Sequence, residues 1–131
     1  MLGIDTNVLV RFLVRDDETQ FIRAQRLIRR ETSASRPVLV SLLVLVETEW
    51  VLRSRYAVSK EEAIATFSGL LDSSDVQIED EPTVEEALFT WRNSSAGFAD
   101  CLIAARNRRL GCSATATFDS KASRLPGFIA A

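Results

Sequence analysis

Histidine is absent from this 131-residue chain. That absence removes Ser-His-Asp and Cys-His nucleophilic sites, histidine general bases and His-ligated zinc. Any catalytic chemistry is left to carboxylates, hydroxyls, basic side chains or a bound metal. Cysteine is nearly as scarce: Cys101 and Cys112 make neither a disulfide framework nor a C-x-x-C metal motif. Both stand among Leu, Ile and Ala, the setting of inert core thiols. Glycine-rich phosphate loops of the P-loop and dinucleotide-binding kinds are missing. So are long apolar runs, since the best of them, Leu42 to Val46 with Val40 just before it, is far too short to cross a bilayer. The chain begins MLGIDTN, with no basic flank and cleavable apolar stretch. The expectation is a cytoplasmic protein that does not engage a membrane.

At 47% hydrophobic and 26% charged residues, the composition is that of an ordinary globular protein, and the length predicts one domain over residues 1–131. The net charge of -2 argues against polyanion binding by bulk charge alone. The positive charge is uneven, however. Fourteen of the sixteen basic residues are arginine, and Arg23, Arg26, Arg29 and Arg30 share one short segment. Arginine suits phosphate through its planar fork of donors, although a solvated helix face is the ordinary use of such residues.

Leu2 to Asp5 reads as a short strand cut off by Asp5-Thr6-Asn7, and VLVRFLV as a helix that ends at the acidic turn Asp16-Asp17-Glu18. From Thr19 to Glu31, Phe21, Ala24, Leu27 and Ile28 recur at helical spacing. Pro37 opens a buried-strand pattern, PVLVS, and Ser41 is placed to cap the helix that follows. Ser59-Lys60-Glu61-Glu62 has capping-box spacing before a helix to about Leu71. VQI at 76–78 is a strand, Pro82 to about Arg92 a helix, and Phe98 to Leu110 another, stopped by Gly111. SATATF at 113–118 and GFIA near the end complete the strand candidates, with a helical turn starting at Asp119. Strands alternating with helices predict an α/β fold with a parallel sheet covered on both faces. Functional groups in such sheets gather beyond the carboxyl ends of the strands, and Asp5 and Asp119 each follow a strand candidate.

Most acidic residues have routine roles. Glu61, Glu62, Glu85 and Glu86 lie in helix first turns, where negative charge suits the macrodipole. Glu49 has Arg53 four residues ahead, a favourable pair on a helix surface. Glu47 differs: its helical neighbours are Leu43, Val44, Trp50 and Val51, a side expected to pack inward. Asp100 has Ala96, Gly97, Ile103 and Ala104. A carboxylate on such a face is costly unless paired, hydrogen-bonded, protonated or bound to a cation. For these two the structural alternative is an acid satisfied by backbone groups or a distant arginine; for Asp5 and Asp119 it is a helix N-cap. Taken together, two strand-end aspartates and two unpaired acids predict a pocket that holds a hard divalent cation, Mg²⁺ or Mn²⁺, through oxygen ligands. Such a site polarises phosphodiester oxygens and makes a nucleophile of bound water.

The same residues carry a signature. IDTNVLV, VLVETEWVL, GFADCLIAA and TFD, in this order and spacing, resemble PIN-domain ribonucleases, especially the VapC-type toxins of bacterial toxin–antitoxin pairs, over essentially the whole chain. The resemblance implies a PIN-like, Rossmann-like three-layer α/β/α sandwich with a central parallel sheet. It implies that Asp5, Glu47, Asp100 and Asp119 are the catalytic and metal-binding acids, supported by Thr6, Asn7, Ser41 and Thr117. It further implies Mg²⁺- or Mn²⁺-dependent cleavage of RNA to a 5′-phosphate and a 3′-hydroxyl, inhibition by a cognate VapB-like antitoxin, and a homodimer. The region of Trp50 and Leu52 is a candidate for the dimer contact, with core packing the expected use of Trp50. Two other classes compete. One is a catalytically silent PIN-like module that binds RNA or protein, which the four filled acidic positions disfavour. The other is a Mg²⁺-dependent phosphatase or receiver domain, which needs a D-x-D-x-T motif or an acceptor Asp with a distal Lys; Asp5-Thr6-Asn7 supplies neither.

Overall fold

The computed structural model describes residues 1–131. The α/β expectation is met: α-helices alternate with short strands, and every strand pairing is parallel. The chain divides into two compact units, Met1–Glu79 and Asp80–Ala131.

The first unit runs α1 (Thr6–Leu13), α2 (Glu18–Ser33), β1 (Val38–Val40), α3 (Leu42–Tyr56), α4 (Lys60–Asp72) and β2 (Val76–Ile78). β1 and β2 pair in register from Val38↔Val76 to Val40↔Ile78, with α3 and α4 making the crossover that parallel strands require. The strand expected at Leu2–Asp5 is reduced to a bridge, Gly3 beside Leu39, with the Leu39 N–H donating to Leu2 O at 2.8 Å. Asp5 explains the shortening. Its Oδ1 accepts the Val8 N–H at 3.0 Å, so the chain turns into α1 directly after Ile4. Ser41 caps α3 in the same way, accepting the Val44 N–H, and the Ser59–Glu62 capping box opens α4. Leu9, Ile28, Val38, Val40, Leu45 and Phe67 are fully or almost fully buried and form the core. Burying each such side chain contributes roughly 1.5–3 kcal/mol against conformational entropy.

Helix α3 departs from its sequence reading. Its inner face is Leu45, Thr48, Glu49 and Leu52, while Leu43 is 79% and Trp50 56% exposed. Glu49 is thus the buried glutamate, paired with Arg53 at 3.0 Å, and Glu47 is the exposed one, which reverses the expected assignment. Trp50 does not pack in the core; Leu52 does. Apolar residues occur all round this helix, so periodicity gave no direction, and Glu49 is accepted inside because Arg53 reaches it from the next turn. The Thr48 hydroxyl is fully buried with no hydrogen-bond partner.

The second unit holds α5 (Glu81–Arg92), α6 (Phe98–Arg109), β3 (Thr115–Thr117), a 3-10 turn at Ala122–Arg124 and β4 (Phe128–Ala130). α5 and α6 bury Val84, Ala87 and Trp91 on one side and Phe98, Cys101 and Ala105 on the other. The Trp91 and Phe98 rings lie 5.1 Å apart at 48°. α6 ends in a Schellman turn, with Gly111 at φ +96° and the Cys112 N–H donating to Asn107 O at 3.0 Å. That turn carries Cys112 into solvent, so only Cys101 is the core thiol that both cysteines were expected to be. β3 pairs with β4 in parallel and is shorter than the 113–118 expectation.

Asp80, which sequence reading passed over, organises the start of α5. It is a left-handed residue, φ +55°, whose side chain caps the helix. Its Oδ2 accepts the Thr83 hydroxyl at 2.6 Å and Arg106 Nη1 at 2.7 Å, and its Oδ1 lies 3.0 Å from Arg109 Nε. The Thr83 hydrogen bond, followed by the charges of Arg109 and Arg106, holds this carboxyl below the usual range despite burial. A depressed carboxyl pKa stabilises the fold fully above the unfolded value, about 3.9, and that contribution is lost as pH falls through the lower folded value. Asp80→Asn keeps the cap and tolerates the backbone but removes the charge. Urea unfolding at pH 7 is expected to show a loss of about 2 kcal/mol, and the gap to wild type should close as the pH falls below about 4. Conversely, Thr48→Val removes an unsatisfied hydroxyl and is expected to stabilise by about 1 kcal/mol in the same assay.

Candidate functional site

Within the first unit, Asp5 and Glu47 line one cavity of about 360 Å³ together with Thr6, Asn7, Trp50 and Arg55. Asp5 is presented by the start of α1 because its own side chain caps that helix. Glu47 projects from the outer face of α3, and the Thr6 hydroxyl donates to its Oε1 at 2.8 Å across 41 residues of sequence. Each acid therefore has one oxygen engaged by the fold. Asn7 is exposed at the cavity edge. Ser41 serves as the α3 cap and does not line this cavity.

Arg11 and Tyr56, which the sequence did not single out, also line the cavity. Arg11 Nη1 reaches Asp16 at 3.0 Å and the Tyr56 hydroxyl at 3.1 Å, and Tyr56 donates to Asp16 at 2.8 Å. The Tyr56 hydrogen bond and the Arg11 charge hold the Asp16 carboxyl below its ordinary range. The triad ties the end of α1 to the end of α3 and fixes a guanidinium beside Asp5. Only the chance spacing Arg11–Asp16 hints at it in the sequence.

Within the second unit, Asp100 sits in the first turn of α6, half-buried, and Asp119 follows β3. Asp119 Oδ1 accepts the N–H groups of Lys121 and Ala122, both at 2.8 Å, and Thr117 Oγ1 accepts the Asp119 N–H at 3.0 Å. Burial, and then the negative charge of Asp119, push the Asp100 carboxyl up. The two aspartates thus repel one another across the end of the α6–β3 region, with no cation of the protein relieving Asp100.

In each unit, then, the sequence-predicted acids occur as a pair: Asp5 with Glu47, and Asp100 with Asp119. In neither unit do three Cys, Asp or Glu side chains gather into a complete coordination shell. A hard divalent cation nevertheless fits the donor chemistry. The atoms offered are carboxylate oxygens, and a cation would remove the like-charge repulsion that raises Asp100. Asp119→Asn removes that repulsion in another way. A carbon-detected NMR titration of the metal-free protein is expected to show the Asp100 midpoint move down, but only part of the way, because burial is the larger cause. An unchanged midpoint would sink the pairing.

Comparison with known proteins gives one family match and no curated relative. The PIN domain matches residues 3–127, which takes in all four acids, both helical starts that present Asp5 and Asp100, and the strand before Asp119. PIN domains are generally metal-dependent nucleases. With nearly its full length matched, and with the α/β fold of parallel strands and helices described above, this chain belongs to the PIN domain family.

Proposed function

We propose that the protein is a Mg²⁺- or Mn²⁺-dependent endoribonuclease acting as the VapC-type toxin of a toxin–antitoxin pair, with Asp5, Glu47, Asp100 and Asp119 as its catalytic acids and residues 1–131 as one PIN domain. The observation that carries the reading is the way its acids are held: three of them have one oxygen fixed by a hydrogen bond from the chain, and the fourth, half-buried Asp100, is pushed up by burial and then by the charge of Asp119. Asp80 shows the contrasting arrangement, with both oxygens taken by the Thr83 hydroxyl and two arginines.

Asp5, Asp100 and Asp119 would hold the cation, and Glu47 would ligate it or orient the attacking water. The bound cation supplies charge neutralisation at the phosphodiester and acidifies a water molecule. Thr6 keeps Glu47 in one rotamer, Thr117 fixes the backbone that aims Asp119, and Asn7 reaches the substrate from the cavity edge. The water oxygen bonds to phosphorus, the P–O3′ bond breaks, and the products are a 5′-phosphate and a 3′-hydroxyl that takes up a proton. A cytoplasmic homodimer silenced by a VapB-like partner completes the reading; the exposed Leu43 of α3 is compatible with such contacts.

Purified protein incubated with total RNA tests the mechanism. Wild type is expected to cleave with Mg²⁺ or Mn²⁺ and not with chelator, Asp5→Asn to lose activity by about 100-fold or more, and Thr6→Val to lose about tenfold through Glu47. Calorimetric Mn²⁺ titration of the same variants gives a readout independent of turnover, in which Asp5→Asn binds more weakly. Equal cleavage by all samples, with or without cation, overturns the mechanism, and RNA binding without cleavage by wild type identifies a silent module.

A further inference from the structure

A second, larger cavity of about 620 Å³ opens between α1 and α2 in the first unit. Arg23, Arg26 and Arg30 line it along one face of α2, and Arg11 lines it from α1. Their spacing places these α2 arginines on successive turns. None of the three makes an ion pair within the chain, so like charges crowd one helix face of a cavity whose one carboxylate is Asp5. The floor is apolar, formed by Val8, Ala24 and Leu27. Asp5, Asn7 and Arg11 line both this cavity and the one holding Glu47, so the two are continuous at Asp5. Trp50, 56% exposed, also lines the smaller cavity and leaves its indole available to solvent.

From this arrangement we propose that the first unit carries a track for single-stranded RNA. One flank of the strand lies in the α1–α2 groove, with its phosphates on Arg23, Arg26 and Arg30. The backbone crosses Asp5, and a base on the other flank stacks on Trp50. The proposal rests on the ribonuclease reading for the identity of the strand and deepens it by naming its form and its path. Guanidinium forks match phosphate oxygens. An exposed indole offers a face on which an unstacked base can lie, which a base locked in a duplex cannot reach. An apolar floor beneath the arginines likewise accepts splayed bases rather than paired ones. An acidic protein segment is the competing occupant of an arginine groove, but it gives no use for the indole beyond Asp5.

The test separates binding from cleavage. In chelator, full-length protein is titrated into a fluorescein-labelled mixed-sequence RNA 12-mer, single-stranded or annealed to its complement, with anisotropy read at several salt concentrations. Single strand is expected to bind more tightly than duplex. The Arg23→Ala/Arg26→Ala/Arg30→Ala variant is expected to bind at least about tenfold more weakly, with its log–log salt slope smaller by about 2, the value for losing three phosphate contacts on a single strand. Arg29→Ala, an exposed arginine of the same helix outside the groove, is expected to change affinity by less than about twofold and the slope by less than about 1. Trp50→Ala is expected to weaken binding about tenfold, and Trp50→Phe to restore most of it. Equal affinity for duplex, a loss with Arg29→Ala as large as with the triple variant, or tighter binding of a glutamate-rich peptide than of single-stranded RNA at matched ionic strength overturns the track. A Trp50→Ala loss accompanied by a changed sedimentation mass assigns the indole to a contact between copies and overturns its stacking role. A protein that binds as described yet never cleaves refutes the nuclease reading alone; one whose triple variant binds and cleaves like wild type refutes the track alone.

Discussion

A carboxylate has two oxygens, and this molecule engages them separately. Asp5 gives Oδ1 to the Val8 amide, Glu47 gives Oε1 to the Thr6 hydroxyl, and Asp119 gives Oδ1 to two amides of the turn that follows it. Each engaged oxygen fixes a rotamer and, for the aspartates, starts a helical turn. Each remaining oxygen has no hydrogen-bond partner inside the chain and is aimed by the first. The division leaves one residue free to cap a helix and still offer an oxygen to a cation. It also explains why the acids need so little surrounding machinery: the helix that an aspartate caps is the scaffold that holds it.

The order of elements was legible in the sequence because each boundary has a local chemical cause. Ser41, Ser59 and Gly111 act where their residue types predict, and VLV and VQI pair as their short apolar runs suggest. The candidate acids were singled out by their helical neighbours and the motif order, and for Glu47 the neighbours misled, because its face of α3 is exposed. Their pairing was legible only in part, since the Thr6–Glu47 contact joins residues 41 positions apart. What failed is equally instructive. α3 has apolar side chains all round, so its inner face could not be inferred, and the buried and exposed glutamates were exchanged. The tertiary neighbours of that helix, rather than its own pattern, decide which stripe is covered.

Asp80 was missed for a different reason. Its residue type at a helix start is unremarkable, and its partners Arg106 and Arg109 sit a helix away. Nothing in the spacing announces that one aspartate will accept from a hydroxyl and two guanidinium groups while holding a left-handed backbone. Long-range ion pairs of this kind have no sequence period. Asp80 and the candidate site acids show the two ways a buried or crowded carboxylate can be satisfied: by the chain's own cations, or by leaving an oxygen for something that arrives later.

The unpaired arginines of α2 have one more consequence. A guanidinium keeps its proton at every pH a cell reaches, and the chain has no histidine to add a charge that comes and goes near neutrality. The strip along Arg23, Arg26 and Arg30 therefore has no histidine beside it to change its charge near neutrality. Shifts in cellular pH pass this surface by. Whatever restrains it has to be a competitor with mass and charge of its own, occupying the groove or the acids and leaving again.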